Sequence, residues 1–583
     1  MKFLLRFCGN RALFILFATS LLVLFLDLLS IALIFPFLKL FISQEVILST
    51  AKIKGIYDLI HFSSPQQFIV AIGIALIVAY FLKFVIKIAV TKLRFHTMNT
   101  ITWKLSTDLF QGMLNAKYAI FTEGSASEMI GIVNAQTIHS MICLDSWVII
   151  INEIAFLAVL IGIFLYINPL MTLGILAIFG LMGVILYFTL VKKINTYGQI
   201  HSRLNLLVYK FGFAVANSIK DIKIMGLESK YADRFSQIWR EYSENDSRSK
   251  NIKSIPKEFS ETLIFCAIIL ICLIVLWTGQ NIVDLIPALG VVAVSAMRML
   301  PSFNRIISSY NEFKYYRKAL DLVHDLFATF EANRQTVARL RLPFERTLSL
   351  RSVSLSYGDK TVLDDVSLSV DRGSSIAFVG PSGAGKSTLL DVLVGLRESD
   401  GGEFVLDNTT FDPFKTDAFR CRVGYVPQQV NLVDDSIAYN ISFDENHDPV
   451  KMEQVIRMSR LEPYIRDLDQ GLATVIGESG VRVSGGQRQR IGIARALYRD
   501  PEVLVFDEAT SSLDTITERE LMEEINALSG TKTLIIVAHR LSTVEKCDQI
   551  HLLENGRIVA RGSHKELLSS CQQYQKLYYQ QQT

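Results

Sequence analysis

Six long apolar runs dominate the first half of the chain, at residues 12–37, 68–91, 141–167, 170–191, 261–278 and 282–300. Most reach the roughly 20 residues that a helix needs to cross the hydrocarbon core of a bilayer. Residues 165–169, ending in Asn168 and Pro169, separate the third run from the fourth, and Gly279, Gln280 and Asn281 separate the fifth from the sixth. Connections that short predict two helical hairpins. The first run follows Lys2, Arg6 and Arg11 as a signal peptide would, but it is too long for such a segment and lacks a small-residue cleavage site. It is read as a retained first helix.

Lys and Arg at the ends of the runs set the orientation. Lys2, Arg6 and Arg11 precede the first helix, Lys92 and Arg94 follow the second, and Lys192 and Lys193 follow the fourth. Arg248, Lys250 and Lys253 precede the fifth, and Arg317 and Lys318 follow the sixth. All lie on one side if both termini are cytoplasmic, with Lys52 and Lys54 as minor exceptions. The polar stretches 92–140 and 192–258 then face the cytoplasm as helical extensions of the spans. Each has a break suited to a short transverse helix, at 121–126 and at 219–226. Residues 52–60 of the outer loop are either a short amphipathic helix or a plain loop.

Beyond about residue 350 the pattern changes to short apolar runs between polar segments. Residues 375–379, 503–506 and 533–538 are apolar apart from the leading Ser375 and Thr533, as strands buried on both faces are. Residues 389–393 read as a helix with one buried face. The expected organisation is a six-helix membrane domain over 1–325, a linker over 326–346 and an α/β domain over 347–583.

Composition supports this division. Half of the 583 residues are hydrophobic, and they concentrate before about Pro301. A net charge of +3 is too small to suggest nucleic acid as a partner. The seven cysteines are scattered without ligand spacing, which implies neither a disulfide framework nor a metal site.

Charges inside the spans need an explanation, because a charge facing lipid is costly. Lys83 and Lys87 share one face of the second helix, Arg298 and Arg305 share one face near the end of the sixth, and Lys257 lies at the foot of the fifth. Lys87, Lys257 and Arg305 either snorkel to the headgroups or, with Lys83 and Arg298, line a basic cavity suited to an anionic head group. Asp27 in the first helix either meets an intramembrane partner or marks a hinge.

The soluble half carries the chemistry. Gly380-Pro-Ser-Gly-Ala-Gly-Lys-Ser-Thr388 fits G-x-x-x-x-G-K-[ST] between a predicted strand and a predicted helix. Its glycines, Gly380, Gly383 and Gly385, let backbone N–H groups turn toward phosphate oxygens, together with Ser382 and Thr388. Lys386 adds a charge near the outer phosphates, the Ser387 hydroxyl can hold Mg²⁺, and the helix N-terminus favours an anion. Asp507 and Glu508 end an apolar strand. Asp507 is suited to Mg²⁺, and Glu508 to orienting or deprotonating an attacking water. His539, at the tip of another strand, lies where a γ-phosphate sensor would be.

Val483-Ser-Gly-Gly-Gln487 is the motif that separates this chain from other phosphate-loop ATPases. With it the sequence resembles the ABC transporter ATPases, whose signature is LSGGQ, valine here replacing the leading leucine. The resemblance covers the whole chain and implies an exporter-type half-transporter: an all-α six-helix transmembrane domain followed by an α/β P-loop ATPase domain, using ATP and Mg²⁺. It implies that Tyr357 stacks on adenine and that Gln428 contacts Mg²⁺ and relays to the membrane domain. Glu478 belongs to the loop that touches the coupling helices, Ser511–Asp514 is the D-loop, and His539 is the switch histidine. Ser484, Gly485, Gly486 and Gln487 would close over the phosphate loop of a second subunit. One set of motifs per chain therefore implies a homodimer with two ATP sites, or a heterodimer with a close relative.

Residues 298–310 look like the segment after the sixth helix in bacterial lipid-linked oligosaccharide flippases, with Phe303 replacing a small residue. That resemblance implies flipping or export of a lipid-linked, pyrophosphate-bearing oligosaccharide in a bacterial inner membrane. Rival cargoes are lipid A, a hydrophobic drug or a peptide. A rival of another class is an ATP-gated channel or regulatory subunit.

Overall fold

The computed structural model describes residues 2–42, 64–167, 169–278, 282–477, 483–509, 522–523, 525, 527–538 and 540–582. The outer-loop segment 52–60, the connection at 279–281, Glu478, Ser511–Asp514 and His539 lie outside the described residues, as do the side chains of Lys2, Arg6 and Arg298. The chain divides into two compact units. One comprises Met1–Ala116 with Glu123–Arg334, and the other Lys117–Thr122 with Gln335–Thr583.

The first unit is built of long helices: α1 Lys2–Ile42, α2 Pro65–Leu114, α5 Thr137–Ile167, α6 Pro169–Asn217, α8 Glu228–Thr278 and α9 Ile282–Ala332. Short helices fall between them, α3 Ala119–Glu123 and α4 Ala126–Gly131 at the first break and α7 Ile219–Ile224 at the second. α2 starts where Ser64 accepts a hydrogen bond from the Gln67 N–H, with Pro65 in the first turn. At 50 residues α2 is about 75 Å long, more than twice the hydrocarbon core, so its polar end must leave the bilayer.

Among the described residues, the helical stretches Gly9–Ser30, Pro65–Leu114 and Ala126–Ile163 are long and apolar enough to cross a membrane. Their outward faces carry large apolar side chains, among them Phe14, Phe17 and Phe25 on α1 and Ile77, Val78 and Phe81 on α2. Water would not tolerate so continuous an apolar face, and lipid covers it without cost.

Inward faces pack by helical spacing. Met182, Leu186, Leu190 and Ile194 form a buried stripe on α6 that meets Tyr315 of α9. Gly198, one turn further on, brings the two backbones together. A β-carbon there would lie 2.0 Å from the Tyr315 carbonyl oxygen. The last helix continues to Ala332, past the boundary expected at 325, because Val323, Leu326 and Phe330 keep one face buried.

The second unit holds two sheets. β1 Thr347–Tyr357, β2 Lys360–Asp371, β4 Gly401–Leu406 and β5 Thr409–Phe411 form an antiparallel sheet in the order β2-β1-β4-β5. The other sheet runs β10-β9-β3-β8-β7-β6. It comprises β3 Ser375–Val379, β6 Val423–Val426, β7 Val503–Asp507, β8 Thr533–Val537, β9 Gln549–Glu554 and β10 Arg557–Gly562. All its pairings are parallel except β9 with β10.

The uninterrupted apolar strands have a direct cause. Ala377, Val379, Leu504, Phe506, Leu534 and Ile536 pack into one core layer, which also takes Ile491 and Ala494 of the helix Gly485–Tyr498. The alternate residues Ile376, Phe378, Val503, Val505, Ile535 and Val537 pack into a second layer with Leu389 and Leu393 of the helix Lys386–Leu393. Successive side chains point to opposite faces, so a sheet covered on both faces must be apolar at every position. The carboxyl ends of β3 and β7 then deliver the phosphate-loop motif and the acidic pair to one edge of the sheet.

Candidate functional site

The loop after β3 turns sharply at Gly380, whose φ of 148° lies in the region reserved for glycine. A β-carbon there would sit 2.1 Å from the Leu553 carbonyl oxygen of β9, so sterics as well as conformation require glycine. The helix Lys386–Leu393 starts immediately after Gly385. Lys386 folds back into the loop, where its ammonium donates to the carbonyls of Gly380 at 2.8 Å and Pro381 at 3.0 Å. Burial pushes its pKa below the ordinary lysine value, and the charges of Glu508 and Asp507 oppose that shift.

Oxygen and amide groups converge beside it. The Ser387 hydroxyl donates to Asp507 Oδ1 at 3.3 Å, and the Tyr425 hydroxyl donates to Asp507 Oδ2 at 3.0 Å. Gln428 Nε2 donates to Glu508 Oε2 at 2.6 Å. Glu508 adopts a left-handed backbone with φ 49°, and its N–H is held by the Val537 carbonyl at 2.9 Å. That conformation is uncommon for a residue with a side chain and aims its carboxylate out of the strand. Tyr425 also stays protonated, since burial and the neighbouring Asp507 charge raise its pKa.

Lys386, Ser387 and Glu508 border a cleft of about 500 Å³, which is also lined by Tyr357, Ser382, Gly383, Gly385 and Thr388. Lys360, Thr361, Val362, Asn555 and Gly556 complete the lining. The size suits a nucleotide. Hard oxygen donors at Ser387 and Asp507, with the Gln428 amide adjacent, fit Mg²⁺ by their chemistry. Sequence reasoning missed Tyr425 as an Asp507 partner. The signal for it is the pairing of β6 with β7, which places Tyr425 opposite Val505.

Ser484, Gly485, Gly486 and Gln487 do not line this cleft. They open the helix Gly485–Tyr498 through a capping box. Gln487 Oε1 accepts from the Ser484 N–H at 2.9 Å, and Ser484 Oγ accepts from the Gln487 N–H at 3.3 Å. Ser484 and Gly485 are exposed, which leaves a pre-formed helix N-terminus facing solvent.

In the membrane unit Asp27 meets intramembrane partners, one of the two alternatives open from the sequence, and Arg94 and Arg305 are paired as well. Asp27 of α1 pairs with Lys83 at 2.9 Å and Lys87 at 3.2 Å, both on α2. Arg305 of α9 pairs with Glu153 of α5 at 2.6 Å, and Arg94 pairs with Asp145. Asp27, Lys87, Arg94, Glu153 and Arg305 border one pocket of about 210 Å³ together with Thr19, Ser20 and Asn152. Lys257 is exposed on α8 and is not among the pocket residues. Low-dielectric surroundings explain the pairing, because an isolated ammonium there would be strongly destabilised.

Asp27→Ala should therefore lower the thermal midpoint of the protein in detergent, by the equivalent of about 1–3 kcal/mol. That is less than for a fully buried pair, since the side chain of Asp27 retains 24% exposure. Replacing Lys83 by Met in the same chain should restore part of the loss. An unchanged midpoint for Asp27→Ala would show that the pair does not stabilise α1 against α2.

Residues 363–511 match the family described as ABC transporter. The ATP-dependent lipid A-core flippase of Sodalis glossinidius (strain morsitans) is 35% identical over 370 residues, covering 62% of this chain and 62% of that protein. The protein of the same name from Paraburkholderia xenovorans (strain LB400) is 28% identical over 500 residues, covering 83% of this chain and 82% of its own length. The chain thus spans under two thirds of the first relative and most of the second. Its fold resembles that of a bacterial Atm1-family ABC exporter solved with ATP bound, with a TM-score of 0.77 at 23% identity over 99% of both chains.

Proposed function

We propose that this chain, whose residues 363–511 match the ABC transporter family, is an integral membrane half-transporter that uses ATP to move a lipid-linked, anionic oligosaccharide across the membrane. The observation that carries this reading is the cleft lined by Lys386, Ser387 and Glu508, with Asp507 hydrogen-bonded to Ser387 and Gln428 to Glu508.

In this reading Tyr357 stacks on the adenine, while the loop N–H groups from Ser382 to Thr388 and the Lys386 ammonium hold the phosphates. Ser387, Asp507 and Gln428 would hold Mg²⁺, which when bound neutralises phosphate charge. Glu508 orients the attacking water and takes its proton, and Gln428 fixes the carboxylate for that task. His539 is assigned the γ-phosphate contact by resemblance. Because one chain's cleft lacks Ser484, Gly485, Gly486 and Gln487, a second copy supplies that helix N-terminus across a homodimer. The short helices α3 and α7 carry the resulting motion to the spans.

The cargo reading rests on the relatives' names, which point to a lipid A-core glycolipid, and on the intramembrane charges. Each cation in the 210 Å³ pocket already has a carboxylate partner, so an acidic head group binding there would compete with Asp27, Asp145 or Glu153. Binding energy is then tied to a rearrangement between helices, as transport requires.

ATP hydrolysis in lipid nanodiscs tests the assignment. Rates should rise several-fold on adding a phosphorylated glycolipid and respond less to its dephosphorylated form. Rates unaffected by any glycolipid, together with ATP-dependent ion currents in planar bilayers, would favour a gated channel instead.

A further inference from the structure

The chain leaves the helical unit after Ala116, contributes Lys117–Thr122 to the second unit, and returns to the first at Glu123. Lys117 pairs with Glu398 at 3.3 Å and lies 5.2 Å from the Phe414 ring centroid, which anchors the start of the segment. Tyr118 and Thr122 of the segment both contact one side chain, Arg397, in the turn after the helix Lys386–Leu393.

Arg397 has four neighbours. Its Nη2 donates to Thr122 Oγ1 at 3.0 Å, and its Nε lies 3.5 Å from Asp391 Oδ2. The guanidinium carbon is 6.0 Å from the Tyr118 ring centroid and 4.9 Å from that of Tyr357. The side chain is only 13% exposed, so these contacts are made with little competition from water. A guanidinium is planar and donates in several directions at once, so it can stack on rings while bonding a hydroxyl and a carboxylate. An ammonium cannot do all of these together.

We infer that Arg397 is a positioning residue that ties the Tyr357 ring to the segment Lys117–Thr122, so that this segment helps set how firmly nucleotide is held. The inference rests on the reading of Tyr357 as the adenine-stacking residue. Tyr357 lines the 500 Å³ cleft, whereas Arg397, Tyr118 and Thr122 do not. The contacts of Arg397 give Tyr118 and Thr122 a route to the cleft through the Tyr357 ring, beside the electrostatic influence of Tyr118 on Tyr425. By linkage, a bound base that fixes the ring also fixes the segment.

The test uses the full-length protein in nanodiscs, with kcat and KM for ATP measured separately for Tyr357→Ala, Arg397→Lys, Tyr118→Leu, Thr122→Val and the double variant Arg397→Lys/Tyr118→Leu. Thermal midpoints identify any variant that fails to fold, and Thr122→Val, which removes one hydrogen bond, stands in should Tyr118→Leu do so. Tyr118→Leu and Arg397→Lys should each raise KM about threefold to tenfold with kcat within about twofold. The double variant should be no worse than Arg397→Lys alone, because the pathway is already broken.

Multiplying effects in the double variant, or an unchanged KM in both Tyr118→Leu and Thr122→Val, would overturn the inference. If Tyr357→Ala raises KM while those two do not, only the link through Arg397 fails. If Tyr357→Ala leaves KM unchanged, the stacking role of Tyr357 fails and the inference with it.

Discussion

Glu508→Gln should lower steady-state ATP hydrolysis by about two to four orders of magnitude while leaving ATP affinity within about threefold. Glu508 is held in place from both ends. Its backbone N–H is fixed by the Val537 carbonyl in a left-handed conformation, and its carboxylate accepts from Gln428 at 2.6 Å. Glutamine has the same shape and keeps an oxygen for the Gln428 amide, so the cleft should stay intact. What is lost is the capacity to accept a proton from water. Affinity should survive because the proposed reading gives the phosphates to Lys386, Ser387 and the loop N–H groups rather than to Glu508. Turnover by phosphate release and binding by fluorescent-nucleotide titration separate the two effects. Normal turnover would remove Glu508 from the catalytic role.

Lys386→Ala should weaken ATP binding by about tenfold to a hundredfold, the range expected for losing a charge-assisted contact in a desolvated site. Lys386 is buried, and its hydrogen bonds run to two carbonyls, with no carboxylate partner in the ion pairs among the described residues. A buried ammonium satisfied only by carbonyls is poised for an anion, and burial has already moved its pKa below the usual lysine value. Arginine at this position should rescue poorly, since its planar fork is longer and does not fit the turn that Gly380 makes. Calorimetric titration of the alanine variant checks the expectation. An ATP affinity equal to that of the unsubstituted protein would contradict the phosphate-loop assignment.

Local signals in the sequence located much of the site. The strands at 375–379, 503–507 and 533–537 were legible as runs apolar but for the end residues Ser375, Asp507 and Thr533, because a sheet packed on both faces buries successive side chains alike. The breaks that hold α3 and α7 were legible from polar and glycine residues within otherwise helical stretches. Strand order was not legible. β8 lies between β3 and β7, and nothing within those segments specifies their neighbours. Partners distant in sequence were hidden for the same reason. Helical spacing placed Lys83 and Lys87 on one face of α2, yet only packing of α1 on α2 could reveal that Asp27 pairs with both. Arg397 carried no motif at all. Its position becomes informative only when Tyr118, Thr122, Asp391 and Tyr357 surround it.

The most direct measurement is ATP-dependent movement of a radiolabelled polyprenyl-pyrophosphate oligosaccharide across proteoliposome membranes, with Glu508→Gln as the control and a lipid A-core glycolipid assayed in parallel. Movement of an anionic glycolipid that requires ATP and is abolished in Glu508→Gln is the expected result. Robust ATP hydrolysis with neither glycolipid moved would contradict the central claim that this chain couples its nucleotide site to lipid transport.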